Sequence, residues 1–404
     1  MDYLRCLEFF SGIGGMHFAL KVSGIAGQIV NCFDVNIVAN TVYKHNFNID
    51  PIKTSIDVLK PQDIDKHKAD CWFLSPPCQP YTRGGKLLDD RDNRAKPLLH
   101  LIEILPQLRH PPKFIFVENV LNFEKSKCRE KLVRQLCHLE YSITECLLSP
   151  LQFGIPNHRL RYYLAAQRSH AARVQSAEEY LTTASIHTTW PLFPAGESAT
   201  TSTASNTSEP SVDQTFKVST LDYFLQSPQS NLKDFLVPHE YLTKILHGFK
   251  LDIVHPHDKR SATFTKAYGS HHIYSSGSLT RTDPKQVEYN FSNPVSLLNL
   301  GIRFFTPLEI ARLHAFPVEW GWGFWKDNNY DHYSDDDGQC NLNDKQHNNS
   351  KLPRTFHPNL LGSDKFTFPE NITNIQKYRL LGNSLNVWVV AELFRCVLFT
   401  EEQN

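Results

Sequence analysis

The sequence predicts an α/β protein built on a parallel sheet whose strand ends carry its chemistry. Three observations lead there. Leu4 to Phe10 is an apolar run that Ser11-Gly12-Ile13-Gly14-Gly15 turns into a helix beginning near Met16. Further short apolar runs, at Ile29 to Phe33, Cys71 to Leu74 and Lys113 to Val117, alternate with stretches of helical spacing. Each run ends on a polar or reactive side chain. Alternation of this kind is the pattern of a sheet with crossover helices, and the carboxyl ends of its strands face the ligand crevice.

The first unit carries the cofactor signal. Its glycines let the backbone adopt positive φ and approach a ligand closely. Asp34 closes the second strand about 20 residues past the glycine turn, the spacing at which a carboxylate binds the ribose hydroxyls of a nucleoside. A strand-end aspartate can equally cap a helix. The third glycine of the dinucleotide fingerprint is missing, which disfavours a nicotinamide dinucleotide. Val35 to Phe47 reads as a helix, and Ile56-Asp57 as the end of a third strand with another carboxylate at the cofactor rim.

The fourth strand, Cys71 to Leu74, runs into Ser75-Pro76-Pro77-Cys78-Gln79-Pro80. Prolines cannot extend a ladder and they stiffen their neighbours, so Cys78 is displayed on a rigid loop, a candidate nucleophile. Arg83, Lys86, Arg91, Arg94 and Lys96 crowd the same region, and nearby positive charge favours the thiolate. Pro97 to Leu108 has helical spacing, and the fifth strand ends in Glu118-Asn119-Val120. Asp34, Asp57, Cys78 and Glu118 therefore share one sheet edge. A helix near Arg129 to Leu139 and strands at Ser142 to Leu148 and Leu160 to Ala165 complete the sheet; Arg159 and Arg161, two apart, are expected on one face.

Beyond about residue 170 the pattern changes. Gly196 to Asp213 is rich in Ser, Thr, Ala and Glu and reads as a linker. Phe216 to Leu300 reads as a small second domain, with Thr263-Phe264-Thr265-Lys266-Ala267-Tyr268-Gly269-Ser270 as a polar and aromatic surface strip. Thr306, Pro307 and Glu309 spell a helix start with a capping box. Lys326 to Lys365 is a polar excursion rather than a core element; its His332, Cys340 and His347 match no metal site, and no metal is expected. Val387 to Phe399 forms a terminal helix.

Composition bounds the function. Lys plus Arg equals Asp plus Glu at 42 each over 404 residues, so nucleic-acid binding must rely on local patches. Nine cysteines lack a Cys-x-x-Cys pair, which fits a reducing compartment, the cytoplasm or also the nucleus. No secretory signal opens the chain, and Val387 to Phe399, interrupted by Glu392 and Arg395, is too short for a bilayer. No membrane partner is expected, and the protein is expected to act as a monomer.

With these blocks in order, the chain resembles the cytosine-C5 methyltransferase family along nearly its whole length: Phe9 to Gly15, Asp34 to Phe47, Pro76-Pro77-Cys78-Gln79, Glu118-Asn119-Val120, Gly154 to Arg161 and Leu381-Gly382-Asn383-Ser384. More narrowly it is similar to the second DNA methyltransferase subfamily, whose members act on aspartate tRNA. Thr263 and Ala267 depart from that subfamily's usual cysteine and glycine, and the polar excursion is longer than its pattern. The resemblance implies a Rossmann-like sheet that uses S-adenosylmethionine and releases S-adenosylhomocysteine. It divides the chain into a catalytic part over 1–170, a linker and target-recognition domain over 171–300, and 301–404 completing the catalytic domain, with a polar insertion at 326–365. Cys78 would be the nucleophile, Glu118 would hold the base, and Arg159 and Arg161 would position it. Phe10, Ile13, Gly14, Gly15, Asp34, Val35, Ile56, Asp57, Ser75, Asn383 and Ser384 would bind cofactor. Arg83, Lys86, Lys266 and Tyr268 would meet the substrate, a tRNA. DNA is the alternative substrate, and a nucleic-acid-binding relative without turnover the alternative role.

Overall fold

The structure, a computed structural model, describes residues 3–82, 88–168, 175–192, 216–227, 230–243, 249–270, 277–283, 285, 287–320 and 352–400. Six strands form the main sheet: β1 (Leu4–Phe9), β2 (Gly27–Phe33), β3 (Cys71–Leu74), β4 (Phe114–Val120), β5 (Tyr141–Leu148) and β6 (Arg161–Arg168). Their spatial order is β2-β1-β3-β4-β6-β5. The first four run parallel, and β6 pairs antiparallel with both β4 and β5. Helices α1 (Gly15–Ser23), α2 (Ile37–Phe47), α3 (Pro61–Asp65), α4 (Lys96–Ile104) and α5 (Lys127–His138) connect them.

Strand residues alternate between two apolar layers, as the two-residue period requires. Cys6, Phe73 and Phe116 pack on the layer that holds α1, while Leu7, Trp72 and Ile115 pack on the layer that holds α4 and α5. Both faces of the parallel strands are covered, so they read as continuous apolar runs.

Two expectations about the sheet are corrected. Ile56-Asp57 is not a strand end but part of a 3-10 turn, Ile56–Val58. Pro51 has no N–H to give a ladder, and Ile52 alone bridges to Phe33. Arg159 precedes β6, which begins at Arg161, so the two arginines are not alternate positions of one strand.

The rest of the chain contributes α6 (Ala177–Thr183), α7 (His239–Thr243), the antiparallel pair β7 (Leu279–Arg281) and β8 (Ile302–Phe304), α8 (Pro307–Leu313), α9 (Asn374–Gly382) and α10 (Val387–Leu393). The capping box of α8 is present: the Thr306 hydroxyl accepts from Glu309 N, and the Glu309 carboxylate accepts from Thr306 N at 2.8 Å. Phe264, Phe304 and Phe305 join the same apolar cluster as α1 and α10. Although Asn374–Leu398 is apolar enough to cross a membrane, most of it is buried within the molecule.

The polar excursion is corrected in part. Residues 321–351 lie outside the described residues, together with His332, Cys340 and His347, and so does the linker over 196–213. Residues 352–365 pack on the core. Phe356 is buried against Trp388, Arg354 pairs with the buried Glu392 at 2.7 Å, and Lys21 reaches Asp364 at 2.7 Å. Polar composition hides this segment because Phe356 and Leu361 carry its apolar packing while Leu352 and Leu360 stay exposed.

Candidate active site

Everything at the site hangs on the strand ends. After β1 the backbone takes positive φ at Phe10 (58°), Gly12 (53°) and Gly14 (84°) before α1 begins. Gly12 N donates to Asp34 Oδ2 at 2.8 Å, and Asn36 N donates to Asp34 Oδ1 at 2.8 Å. The cap of α2 is Asn36, which accepts from Val38 N and Ala39 N. Asp34 therefore braces the glycine turn against β2 and is not a helix cap. Burial raises its pKa, opposed by those two amides. The glycines divide their work: a Cβ on Gly14 would lie 2.2 Å from the Phe47 ring, whereas one on Gly12 would project into open space.

That space is a cavity of about 360 Å³. Its wall includes Phe10, Ile13, Gly15, Asp34, Val35, Ile56, Ser75, Cys78, Glu118, Arg159, Arg161, Asn383 and Ser384. Two expected cofactor residues are elsewhere. Gly14 faces Phe47, and Asp57 is taken up by the Ser55 hydroxyl. Residues the sequence reading did not assign also line it, Gly12, Asn36, Thr54, Arg94, Asn119 and Leu385 among them. Gly12, Asn36 and Asn119 sat inside quoted motifs and Arg94 in the basic cluster, so the signal existed for those four.

The loop that bears the thiol is fixed from both sides. Ser75 N and Oγ donate to the carbonyls of Phe9 and Phe10, and Asn119 Nδ2 donates to Pro76 O at 3.3 Å. Tyr81 N then returns to Cys78 O at 3.0 Å, with the Tyr81 ring buried edge-on against Phe123. Cys78 and Cys396 are the partly exposed cysteines among the described residues, and Cys78 is the one in the cavity.

The same cavity holds Glu118, with Arg161 Nε 3.5 Å from its Oε1. Burial raises the Glu118 pKa, and the Arg161 and Arg159 charges oppose the rise. Arg159 is 2% exposed. Its Nη1 donates to Phe264 O at 3.0 Å and its Nη2 to the carbonyls of Gly382 (3.2 Å) and Ser384. Burial, then the like charge of Arg161, pulls its pKa down to about 9. Arg159 lines the cavity, and its Nη donors also join three chain segments, while its buried Nε is unpartnered.

The substrate residues scatter. Tyr268 is corrected from a surface stacking ring to a core residue: its ring packs against Phe264, Phe304 and Tyr378, and its hydroxyl donates to Ser278 O while accepting from Phe305 N. Lys266 is exposed. Arg83 and Lys86 lie outside the described residues. Thr263, where the resembled pattern has cysteine, donates its hydroxyl to His158 O at 2.7 Å. Among the described residues no cluster of metal-ligating side chains occurs.

A strand-end thiol sharing a cavity with a buried carboxyl and guanidiniums suits nucleophilic catalysis, and residues 4–335 match the family of C-5 cytosine-specific DNA methylases. The chain belongs to that family. The human tRNA (cytosine(38)-C(5))-methyltransferase is 34% identical, the match covering 98% of this chain and 99% of that one. A Dictyostelium discoideum relative named DNA (cytosine-5)-methyltransferase is 32% identical over 100% of this chain and 96% of its own. The crystal structure of a substituted Spodoptera frugiperda DNMT2 superposes with a TM-score of 0.69 at 32% identity, over 98% of this chain and 100% of that one.

Members of this family use S-adenosylmethionine as methyl donor. The cavity fits it. A volume of about 360 Å³ suits a nucleoside-sized ligand, the missing Cβ of Gly12 leaves room for close approach, and the Asp34 carboxylate ends the strand where a ribose would lie.

Proposed function

We propose that this protein transfers a methyl group from S-adenosylmethionine to carbon 5 of a cytosine in tRNA, at position 38 in the anticodon loop of aspartate tRNA, acting as a monomer in the cytoplasm or also the nucleus. The observation that carries the reading is Cys78 sharing one cavity with the Glu118–Arg161 pair. Relatives that match almost end to end and are named for cytosine 38 of tRNA support the substrate.

Carbon 5 of cytosine is a poor nucleophile until carbon 6 is attacked. In the proposed reaction the Cys78 thiolate forms a bond to carbon 6, and the ring electron pair moves toward carbon 5. Glu118 delivers a proton to ring N3 as that happens. Burial favours the protonated carboxyl needed for this, and Arg161 holds the carboxyl in place. When bound, S-adenosylmethionine supplies the electrophilic methyl group that carbon 5 takes up. Loss of the carbon-5 proton to a base then restores the double bond and expels the Cys78 thiolate, and ring N3 returns its proton to the Glu118 carboxylate. Gly12, Asp34 and Ile56 would hold the cofactor on its side of the cavity. A loop cytosine is already partly unstacked, whereas a duplex cytosine must be flipped at a cost of a few kcal/mol.

The Dictyostelium relative's name favours DNA as a second reading. Labelled cofactor offered to total tRNA and to DNA in parallel separates the two. The expected result is label in tRNA, confined to the anticodon loop. Equal rates on both, or label outside that loop, would overturn the narrow reading.

A further inference from the structure

Beyond the nucleophile, the chain makes a second fixed point at Asp89. Its backbone adopts φ of 52°, a left-handed conformation uncommon outside glycine. Its N–H donates to Pro80 O at 3.4 Å, drawing the chain back beside the cysteine loop. Its carboxylate reaches across to α5: Oδ2 accepts from Lys127 N at 2.7 Å and Oδ1 from Cys128 N at 3.4 Å. Asp90 adds a contact to Lys131 on the same helix at 2.9 Å. From Asp89 the chain runs through Asp92, whose N–H donates to Asp89 O. The Asp92 carboxylate then takes Arg94 Nε and Nη2 in a fork of 2.9 and 2.7 Å, and Arg94 lines the cavity with Cys78.

The first amides of a helix need acceptors. Here a residue far along the chain supplies them, although Ser126 already caps the same helix locally by accepting from Arg129 N at 3.0 Å. Ser126 serves the amide of Arg129 and Asp89 those of Lys127 and Cys128, so the two caps are not interchangeable, and only the one at Asp89 also ties the helix to the cysteine loop.

We propose that Asp89 is a positioning residue for methyl transfer: it moors the Cys78 loop and the Arg94 turn to α5, so that thiol and guanidinium keep a fixed separation across the cavity. This rests on the cytosine-C5 reading above. Misplacement of a reacting group by about 1 Å can cost roughly a hundredfold in rate, and the tie at Asp89 sits where such slack would enter.

The test compares Asp89→Gly and Asp89→Asn with Ser126→Ala. Glycine accepts the positive φ without strain but has no carboxylate, asparagine tolerates the conformation and keeps one acceptor oxygen, and Ser126→Ala removes a cap on the same helix without touching the loop. The readouts are kcat for tRNA methylation, the rate of covalent capture by RNA carrying 5-fluorocytosine, and S-adenosylhomocysteine affinity by calorimetry. The expected order of kcat and of capture rate is wild type, then Asp89→Asn, then Asp89→Gly, the last lower by roughly 10- to 100-fold, with affinity unchanged. Ser126→Ala should lower the thermal midpoint while kcat holds. Wild-type kcat in either Asp89 variant, or an equal loss in Ser126→Ala, would overturn the proposal; Asp89→Asn decides alone should Asp89→Gly fail to fold. A wild-type protein that methylates no cytosine would defeat the underlying reading instead.

Discussion

On the cofactor side of the cavity, Asp34 reaches Gly12 across 22 residues of sequence, and Asn36 caps its own helix within three. On the base side, Arg159 reaches Phe264 across 105 residues, Gly382 across 223 and Ser384 across 225. The two halves of one cavity are therefore built differently. The first is a strand–turn–helix–strand unit that local sequence assembles. The second exists only when segments distant along the chain have closed on one another, and the buried Arg159 guanidinium, with Asn157 and Thr263 beside it, ties them. Damage to the first half should be confined to the cofactor, while damage at the closure should spread to both ligands.

The largest effect tests a residue on which neither half depends for its hydrogen bonds. Cys78→Ala should abolish methyl transfer while S-adenosylhomocysteine affinity, measured by calorimetry, stays at the wild-type value. The wild type should form a covalent adduct with RNA carrying 5-fluorocytosine, because fluorine at carbon 5 cannot leave as a proton does. Residual turnover in the alanine variant would remove Cys78 from the nucleophile's role.

Next in size are the two arginines, which separate closure from chemistry. Arg161→Leu leaves Glu118 without its 3.5 Å partner and should depress activity with cofactor affinity kept. Arg159→Leu leaves the carbonyls of Phe264, Gly382 and Ser384 without their donor, at about 1–3 kcal/mol for each left buried and unpaired. It should weaken cofactor binding and lower the thermal midpoint as well as activity. If both variants lost only activity, the contrast between the halves would be false.

That contrast also explains which features were legible. Strand ends at Asp34, Cys78 and Glu118 follow from apolar runs and what terminates them, so the sequence places them on one edge. Tyr268 looks like a stacking ring on a polar strip because its neighbours in sequence are polar. The rings that enclose it, Phe304 and Tyr378, come from elsewhere in the chain, and no local pattern reports them. Ile56-Asp57 fails for a related reason: an apolar residue before a carboxylate resembles a strand end, but pairing needs a run of free amides that Pro51 interrupts. Arg159 and Arg161 reach the same neighbourhood by different routes: pairing of β6 with β4 sets Arg161 opposite Val120, two residues from Glu118, whereas Arg159 precedes the strand and is held by closure of the chain.

A smaller effect concerns the floor beneath the glycine turn. Glu8 is fully buried, accepts from the Tyr43 hydroxyl at 2.8 Å, and is pushed by burial from 4.5 up to about 8. Between those values the folded state binds the proton that the unfolded chain has released, so stability falls as pH rises through the window. His17, pulled by burial from 6.5 down to about 3, works in the opposite sense below pH 6.5. Above 6.5 the carboxyl acts without that interference. The thermal midpoint of Glu8→Gln, relative to wild type, should therefore climb from pH 6.5 to about 8. A constant difference across that range would show that Glu8 stays in one protonation state.

The smallest effect is expected where the cofactor half meets the polar excursion. Trp320, just before residues 321–351, packs on Phe356, shortly after them, with ring centroids 5.9 Å apart, so the chain leaves and returns to one region of the molecule that a linker can bridge, and changes in loop length cost little closure entropy. Removing 321–351 should leave thermal midpoint and cofactor affinity near wild type. Extending the deletion through residue 365 is a different operation. It strips Phe356 from Trp388, takes Arg354 from the buried Glu392, and releases Arg354 Nη2 from Val22 O and Asp364 from Lys21, both on α1. Loss of a buried phenylalanine alone costs about 3–5 kcal/mol, and α1 is the helix that the glycine turn feeds. The longer deletion should therefore lower stability in denaturant titration and weaken cofactor binding together. Equal behaviour of the two deletions would mean that residues 352–365 lie on the cofactor half without supporting it, and the local self-sufficiency of that half would then extend further than its hydrogen bonds indicate.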